Sequence, residues 1–394
     1  MSTRLPPDVA IRDAEWLRQR ALEIPAFYYP ACLDEAGYHH RFDSDGSVVA
    51  GDSDVEPLVG TCRFIYLFAA AADLGGPDWC AEAARHGLNR LQMAFHDESH
   101  GGYYWEIANG EPVERTKYAY GHAFVLLAFS AAANAGIAET TSETAELYDL
   151  LETRLYEPEH QLYATEAEVD WKLDHYRGQN ANMHLCEACL AAYEATRNDQ
   201  YVHRAQSLAD AVIRGLAANG DMWEHYDREW QPDWAYNSDD PDNLFRPHGY
   251  LPGHYVEWAK LLCQLEQHES SEWRIPAAKR LFNRAVTVAW DETNDGLQYA
   301  FDRNGQVTNS DKYYWVTAEQ LAAAATLSAI DNRFDTWYER TWAFALATHM
   351  TDQGVWWRIC NHTGIPVTDE PISPPNKTDY HVLSALLSCR DVAR

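Results

Sequence analysis

Asp97-Glu-Ser-His-Gly-Gly-Tyr-Tyr-Trp105 runs from acidic residues through glycine into aromatics, and the same order, with glycine or an equivalent turn in the middle, returns along the chain. It reads Asp34-Glu-Ala-Gly37-Tyr38, Glu157-Pro-Glu-His-Gln-Leu-Tyr163, Asn219-Gly220-Asp-Met-Trp223, Asp291-Glu-Thr-Asn-Asp-Gly296-Leu-Gln-Tyr299 and Asp352-Gln-Gly354-Val-Trp356-Trp357. One such match is noise in a chain rich in Asp, Gly and Trp; six, roughly every 58 to 74 residues, mark a repeated supersecondary unit. Between the motifs the apolar residues recur at i, i+3 and i+4, the spacing of helices. The pairs are 54–73 with 77–95, 115–134 with 140–156, 179–197 with 200–217, 250–268 with 273–290, and 312–330 with 333–349. A last segment, 376–391, finds its partner only if a helix at about 8–23 supplies it.

A lone helical hairpin has no way to bury its apolar face, whereas a closed ring of six can. The expectation is therefore an all-α fold, an (α/α)6 barrel of six helical hairpins, forming a single catalytic domain over 1–394. The more apolar first helix of each pair, as in Phe124-Val-Leu-Leu-Ala-Phe129, belongs to the inner ring. Short β-hairpins are expected in the connections at Asp45-Gly46, Asn109-Gly110 and Asn304-Gly305.

Composition narrows the function. The chain has 394 residues, 31 Lys+Arg against 60 Asp+Glu and a formal charge of −29, which argues against nucleic acid and disfavours a strongly anionic substrate. Met1-Ser-Thr-Arg-Leu-Pro-Pro7 lacks the apolar stretch of a secretion signal, and no apolar run is long enough to cross a bilayer. Eight scattered cysteines suit reduced thiols, and Cys186-Glu-Ala-Cys189 has no second pair with which to build a zinc site. These features lead to a cytoplasmic protein, a monomer or homodimer, that does not engage membranes.

The starts of the inner segments carry chemistry. Arg63 opens an apolar run; Tyr118 and His122 are one turn apart; Asn180, His184 and Glu187 share a face. His254 and Glu257, Trp315 and Glu319, and Lys377 and His381 follow at i, i+3 or i+4. All six inner helices point the same way around a barrel, so these groups converge on one mouth. Singly, each histidine reads as structural and each glutamate as half of a buried ion pair with Arg63 or Lys377. Together they suit proton transfer, since imidazole titrates near neutrality and a carboxylate behind it fixes its tautomer. Arg63 and Asn180 suit charge developing on an oxygen, and the aromatics suit the C–H face of a sugar. His184-x-x-Glu187 and His254-x-x-Glu257 also share a spacing that binds metals from two helices, but no full ligand set is visible, so neither metal nor cofactor is expected. Asp97, Glu257 and Glu319 leave open the paired carboxylates of a glycoside hydrolase, and a non-catalytic sugar-binding protein is the further alternative.

Arg177-Gly-Gln-Asn-Ala-Asn-Met-His184-Leu-Cys-Glu-Ala188, Pro252-Gly-His254-Tyr-Val-Glu-Trp258, Lys312-Tyr-Tyr-Trp315-Val-Thr-Ala-Glu319 and Lys377-Thr-Asp-Tyr-His381 resemble the N-acylglucosamine 2-epimerase superfamily. The likeness runs from about Arg63 to the C terminus and is greatest to its mannose and sulfoquinovose isomerase branch. The resemblance implies an (α/α)6 barrel and metal-free aldose–ketose interconversion or C2 epimerisation. It also implies catalytic roles for His254 and His381, with Arg63, Asn180 and His184 in the substrate pocket. Tyr118, Glu257 and Trp315 are expected to complete that pocket, with Glu187, Glu319 and Lys377 in support and Glu257 orienting His254. The loop 365–375 before the last helix is acidic and has no Arg, Lys or Gln to hold a sulfonate. A small neutral monosaccharide, mannose in exchange with fructose, is the expected substrate, with epimerisation the alternative outcome of the same chemistry.

Overall fold

The repeated motif folds as a tight turn closed on itself. In the computed structural model, which describes residues 9–49, 55–241, 243 and 245–393, antiparallel bridges join Leu33 to Tyr38, His96 to Tyr103, Trp290 to Leu297 and Met350 to Trp356. Tyr156–Glu157 pairs with Leu162–Tyr163 in the same way. The glycine is required by the turn: Gly296 has φ +88°, and a Cβ there would lie 2.5 Å from the Phe344 ring. The opening acid has a partner one repeat element later. Lys117 pairs with Asp97 at 2.8 Å, Arg177 with Glu157 at 2.7 Å and Lys312 with Asp291 at 2.7 Å.

Among the described residues there are twelve α-helices. First comes α1 (Ala14–Tyr28), then α2 (Leu58–Asp73) with α3 (Asp78–Arg90), and α4 (Ala119–Asn134) with α5 (Thr141–Arg154). Next are α6 (Gln179–Thr196) with α7 (Asp199–Ala209), and α8 (Pro252–His268) with α9 (Arg274–Ala289). The series ends with α10 (Tyr314–Ile330), α11 (Asp335–Thr348) and α12 (Tyr380–Asp391). Widened π turns at Leu91–Phe95 and Asp210–Leu216 extend α3 and α7 to the expected ends. The even-numbered helices pack neighbour to neighbour, and α12 returns against α2, closing the inner ring; α1 packs on α12 as its missing partner. The fold is the (α/α)6 barrel.

Burial separates the two rings. Helix α10 buries every residue from Val316 to Ser328, as an element covered on all sides must. Outer α5 buries only Thr144, Leu147, Tyr148 and Leu151, a single stripe. The ring is fastened where the ends of the chain meet: Tyr28 packs on Phe42 and Phe64, both at 5.1 Å between ring centroids. Its hydroxyl donates to Asp379 at 2.6 Å, and the Asn376 side-chain oxygen accepts from the Gly60 N–H at 2.9 Å.

Apart from α6, which begins at Gln179 as expected, the inner helices start later than their apolar pattern suggested. Residues 55–57, 117–118, 177–178 and 312–313 are extended, and each pairs antiparallel with the following connection. Tyr250 bridges Phe301, and Ser373 bridges Phe42 across the chain ends. This pairing satisfies backbone groups that a helix start leaves free, so Tyr118 and Lys377 precede their helices instead of lying on them. The N-terminal helix is Ala14–Tyr28 in place of 8–23; residues 1–8 and 50–54 lie outside the described residues. Asn109-Gly110 and Asn304-Gly305 turn the expected hairpins, and Asp45-Gly46 lies inside the Phe42–Val48 bridge.

Candidate active site

Five of the six inner helices, all but α12, begin directly after an extended residue, and the first turns of the ring face one end of the barrel. A cavity of about 400 Å³ opens there. Of the expected residues, Arg63, Tyr118, Asn180, His184 and His254 line it, as do Glu257, Trp315, Lys377 and His381. Glu187 and Glu319 stand behind the histidines. His122 stays out: it bonds the Tyr118 carbonyl through Nδ1 and accepts from the Tyr103 N–H, and burial takes its pKa down to about 4.

Two histidines share one aromatic wall. The Trp315 ring lies 5.2 Å from the His254 ring and 5.8 Å from that of His381. Gly253 makes this possible, since a Cβ there would lie 2.4 Å from the Trp315 ring. His381 directs Nδ1 at Glu319 Oε1, 2.7 Å away. His184 directs Nδ1 at Glu187 Oε2, 3.3 Å away, and meets the His381 ring at 6.2 Å. A carboxylate at Nδ1 places the proton there and leaves Nε2 as the acceptor. Burial, reinforced for His381 by Arg63 and His184, lowers the pKa of both rings, which keeps them neutral and able to act as bases.

The expected pairing of His254 with Glu257 does not occur. His254 Nδ1 lies 2.9 Å from both carboxylate oxygens of Glu224, and Gln179 Nε2 donates to the same carboxylate at 2.8 Å. Residues three apart on a helix lie side by side, and Glu257 instead turns toward the barrel axis, 4.0 Å from His184 Nδ1. Neither Glu257 oxygen has a hydrogen-bond partner among the described residues. Burial, followed by the neighbouring Glu319, pushes its pKa well above the ordinary carboxylate value, which favours the protonated, neutral form.

Lys260 takes the role foreseen for Arg63 or Lys377 as partner of the buried glutamates. It ion-pairs with Glu319 at 2.8 Å and Glu187 at 3.3 Å. Burial pushes the Glu187 carboxyl up, but Lys260, His184 and Tyr380 together hold it well below its ordinary pKa. Arg63 is thereby left without a carboxylate among the described residues. Its guanidinium bonds the Asn376 carbonyl and the Tyr120 hydroxyl and lies 4.6 Å from the Phe124 ring centroid. Lys377 sits over Phe245 at 5.5 Å, and burial, with Arg63 and Arg358 nearby, brings its pKa down to about 7.

His184, Glu187 and Glu257, and again Glu257, Glu319 and His381, bring possible metal donors together. Lys260 already pairs its ammonium with Glu187 and Glu319, one carboxylate of each group. The carboxylates considered for glycoside hydrolysis do not form a pair facing the cavity, although Glu257 and Glu319 lie close to one another. Asp97 is committed to Lys117, Glu319 does not line the cavity, and of the three only Glu257 reaches it.

Sequence reasoning missed Glu224, Gln179, Lys260 and Tyr120. It also missed the rim side chains Phe245 and Arg246, the latter ion-paired with Glu166. Glu224 follows Trp223 as Glu106 follows Trp105, and nothing local separates the two. All eight cysteines are free and buried. Among the described residues no helix is long and apolar enough to cross a membrane.

A barrel whose inner helices bring histidine–carboxylate pairs to one mouth defines a class of sugar-converting proteins, and the sequence places the chain within it. The profile of the N-acylglucosamine 2-epimerase (GlcNAc 2-epimerase) family matches residues 37–385, and the chain belongs to that family. It is 42% identical over 369 residues to a D-mannose isomerase of Marinomonas mediterranea, covering 91% of this chain and 92% of that one. To a D-mannose isomerase of Thermobifida fusca it is 35% identical over 352 residues, covering 86% and 85%. A crystal structure of a D-mannose isomerase superposes with a TM-score of 0.93 at 39% identity, covering 97% of this chain and 98% of that one.

Proposed function

We propose that this protein is a metal-independent aldose–ketose isomerase that interconverts D-mannose and D-fructose as free, neutral monosaccharides in the cytoplasm. The observation that carries the reading is the pair His254 and His381, each with a carboxylate at Nδ1 and both against Trp315. The extended likeness to D-mannose isomerases supports the choice of sugar.

In this mechanism His254, held by Glu224, moves a proton between the anomeric hydroxyl and the ring oxygen and so opens the pyranose. His381 Nε2 removes the C2 proton of the open-chain aldose, and the C2–H electron pair becomes the C1–C2 double bond of a cis-enediolate. Arg63, whose charge no carboxylate cancels, stabilises the oxygen that gains charge, with the Asn180 amide and His184 beside it. The C2 hydroxyl proton passes to the C1 oxygen, His381 returns its own proton to C1, and the C2 oxygen becomes the ketone. Glu257, neutral, donates to a sugar oxygen without adding negative charge next to the enediolate. Tyr118 and Trp315 provide flat walls, and Lys377 borders the rim.

The test is incubation of the protein with mannose, glucose, fructose and lyxose, with products separated by chromatography. Mannose giving fructose, and fructose giving mannose, supports the reading. Glucose as the principal product of mannose would show a 2-epimerase instead.

A further inference from the structure

Lys260 follows His254 and Glu257 on α8 at successive i+3 steps, which carries it down one side of the helix toward the barrel axis. Its side chain is buried, and it is not among the residues that line the substrate cavity. Three carboxylates surround this region from three helices: Glu187 of α6, Glu257 of α8 and Glu319 of α10. From α2 come Arg63 and Tyr66, from α6 also His184, and from α12 Tyr380 and His381. Tyr380 donates its hydroxyl to Glu187. The carboxylates that contact Lys260 are Glu319 at 2.8 Å and Glu187 at 3.3 Å. These are the same groups that accept from His381 and His184.

We infer that Lys260 is the positioning residue for both histidines: one ammonium keeps Glu319 and Glu187 ionised and so directs each Nδ1–H away from the sugar and each Nε2 lone pair toward it. The balance of charge explains why one cation suffices for two rings. Burial leaves the Glu319 carboxyl above its ordinary pKa, with Lys260 the first group that pulls it back; the 2.8 Å contact with the ammonium is what favours the ionised form. Without the ammonium, a dry cluster of carboxylates must take up a further proton. A protonated Glu319 donates its O–H to His381 Nδ1, which moves the ring proton to Nε2. That tautomer faces the sugar with an N–H and has no lone pair for the C2 proton. Lys260 itself never touches the substrate.

The kinetic part of the test rests on the isomerase reading; the spectroscopic part does not. Lys260→Met and Lys260→Arg are made in the full chain. In the Met variant kcat is expected to fall by about 10²–10⁴-fold, the range of a lost proton-transfer group. KM should change little, and the acidic limb of the kcat/KM profile should move to higher pH, because Glu319 then ionises later. The Arg variant, which keeps the charge, should keep the wild-type limb and most of kcat. In ¹⁵N spectra of the histidine rings, His381 should show its unprotonated nitrogen at Nε2 in the wild type and at Nδ1 in Lys260→Met. If Lys260→Met does not fold, Lys260→Gln takes its place with the same expectations. A folded neutral variant with the wild-type tautomer and pH profile overturns the inference. A wild type that leaves mannose untouched overturns the functional reading alone, since the ring tautomers are read without turnover.

Discussion

Glu224→Gln isolates the contact that orients His254. The substitution keeps the shape of a side chain that is 4% exposed and removes its charge. In the wild type both oxygens lie 2.9 Å from His254 Nδ1, and the backbone is fixed by the pairing of His225–Tyr226 with Arg177–Gly178. An amide can present its NH₂ to Nδ1, which favours the tautomer with the proton at Nε2. A hydrogen bond to a charged group contributes about 1.5–3 kcal/mol, so ring opening should slow by roughly 10–150-fold at 1.36 kcal/mol per decade. The assay follows anomerisation of α-D-mannopyranose by polarimetry, alongside deuterium uptake from D₂O with fructose as substrate. Anomerisation should fall by that factor, while exchange from the open-chain ketose should fall much less because His381 is untouched. Glu257→Gln is the control. If that variant slows anomerisation more than Glu224→Gln does, Glu257 orients His254 and the reasoning fails.

Three further outcomes are expected. His381→Ala should lower kcat by at least about 10²–10⁴-fold and abolish solvent exchange of the C2 hydrogen while the protein stays folded; near-normal exchange would move the base to His254 or His184. Turnover should survive exhaustive chelation, and loss with EDTA restored by a divalent ion would revive the metal reading of the His-x-x-Glu pairs. Glu257→Gln should raise thermal stability at alkaline pH. The raised folded-state pKa means the wild type gains from Glu257 being protonated below its unfolded pKa, and loses that stability as pH rises toward the folded value. Melting curves should therefore coincide near pH 4.5 and separate as pH increases, with the variant higher; curves that stay together through pH 9 would show an ionised Glu257.

The candidate site was legible where a residue type and a helix start coincided. His184, His254 and His381, together with Arg63, Asn180 and Trp315, were found because residues in the first two turns of the inner helices face one mouth. The i, i+3 rule was sound for His184 and Glu187, which do bond. It failed for His254 and Glu257, because neighbours on a helix surface diverge once one of them is claimed by another element. The claim came from Glu224, in an extended segment with no periodicity to reveal it. Lys377 and Tyr118 were placed on helices because their apolar neighbours continue the pattern, whereas backbone pairing with the next repeat holds them extended.

The sequence by itself determined the architecture. Six acid–turn–aromatic motifs, five of them with glycine at the turn, and the helix-period segments between them admit one closed arrangement, because burial of apolar faces is additive along the chain and shows as periodicity. It also determined which residue types reach the mouth. The tertiary structure decided how they pair: Glu224 with His254, Lys260 with Glu187 and Glu319, Arg63 with no carboxylate. Pairing of buried charges depends on distances of a few ångströms between groups far apart in the chain, 30 residues for Glu224 and His254 and 62 for Glu319 and His381. Short-range order carries no record of such distances, and in a dry interior they set which group is charged, which tautomer a ring adopts and therefore which nitrogen can take a proton.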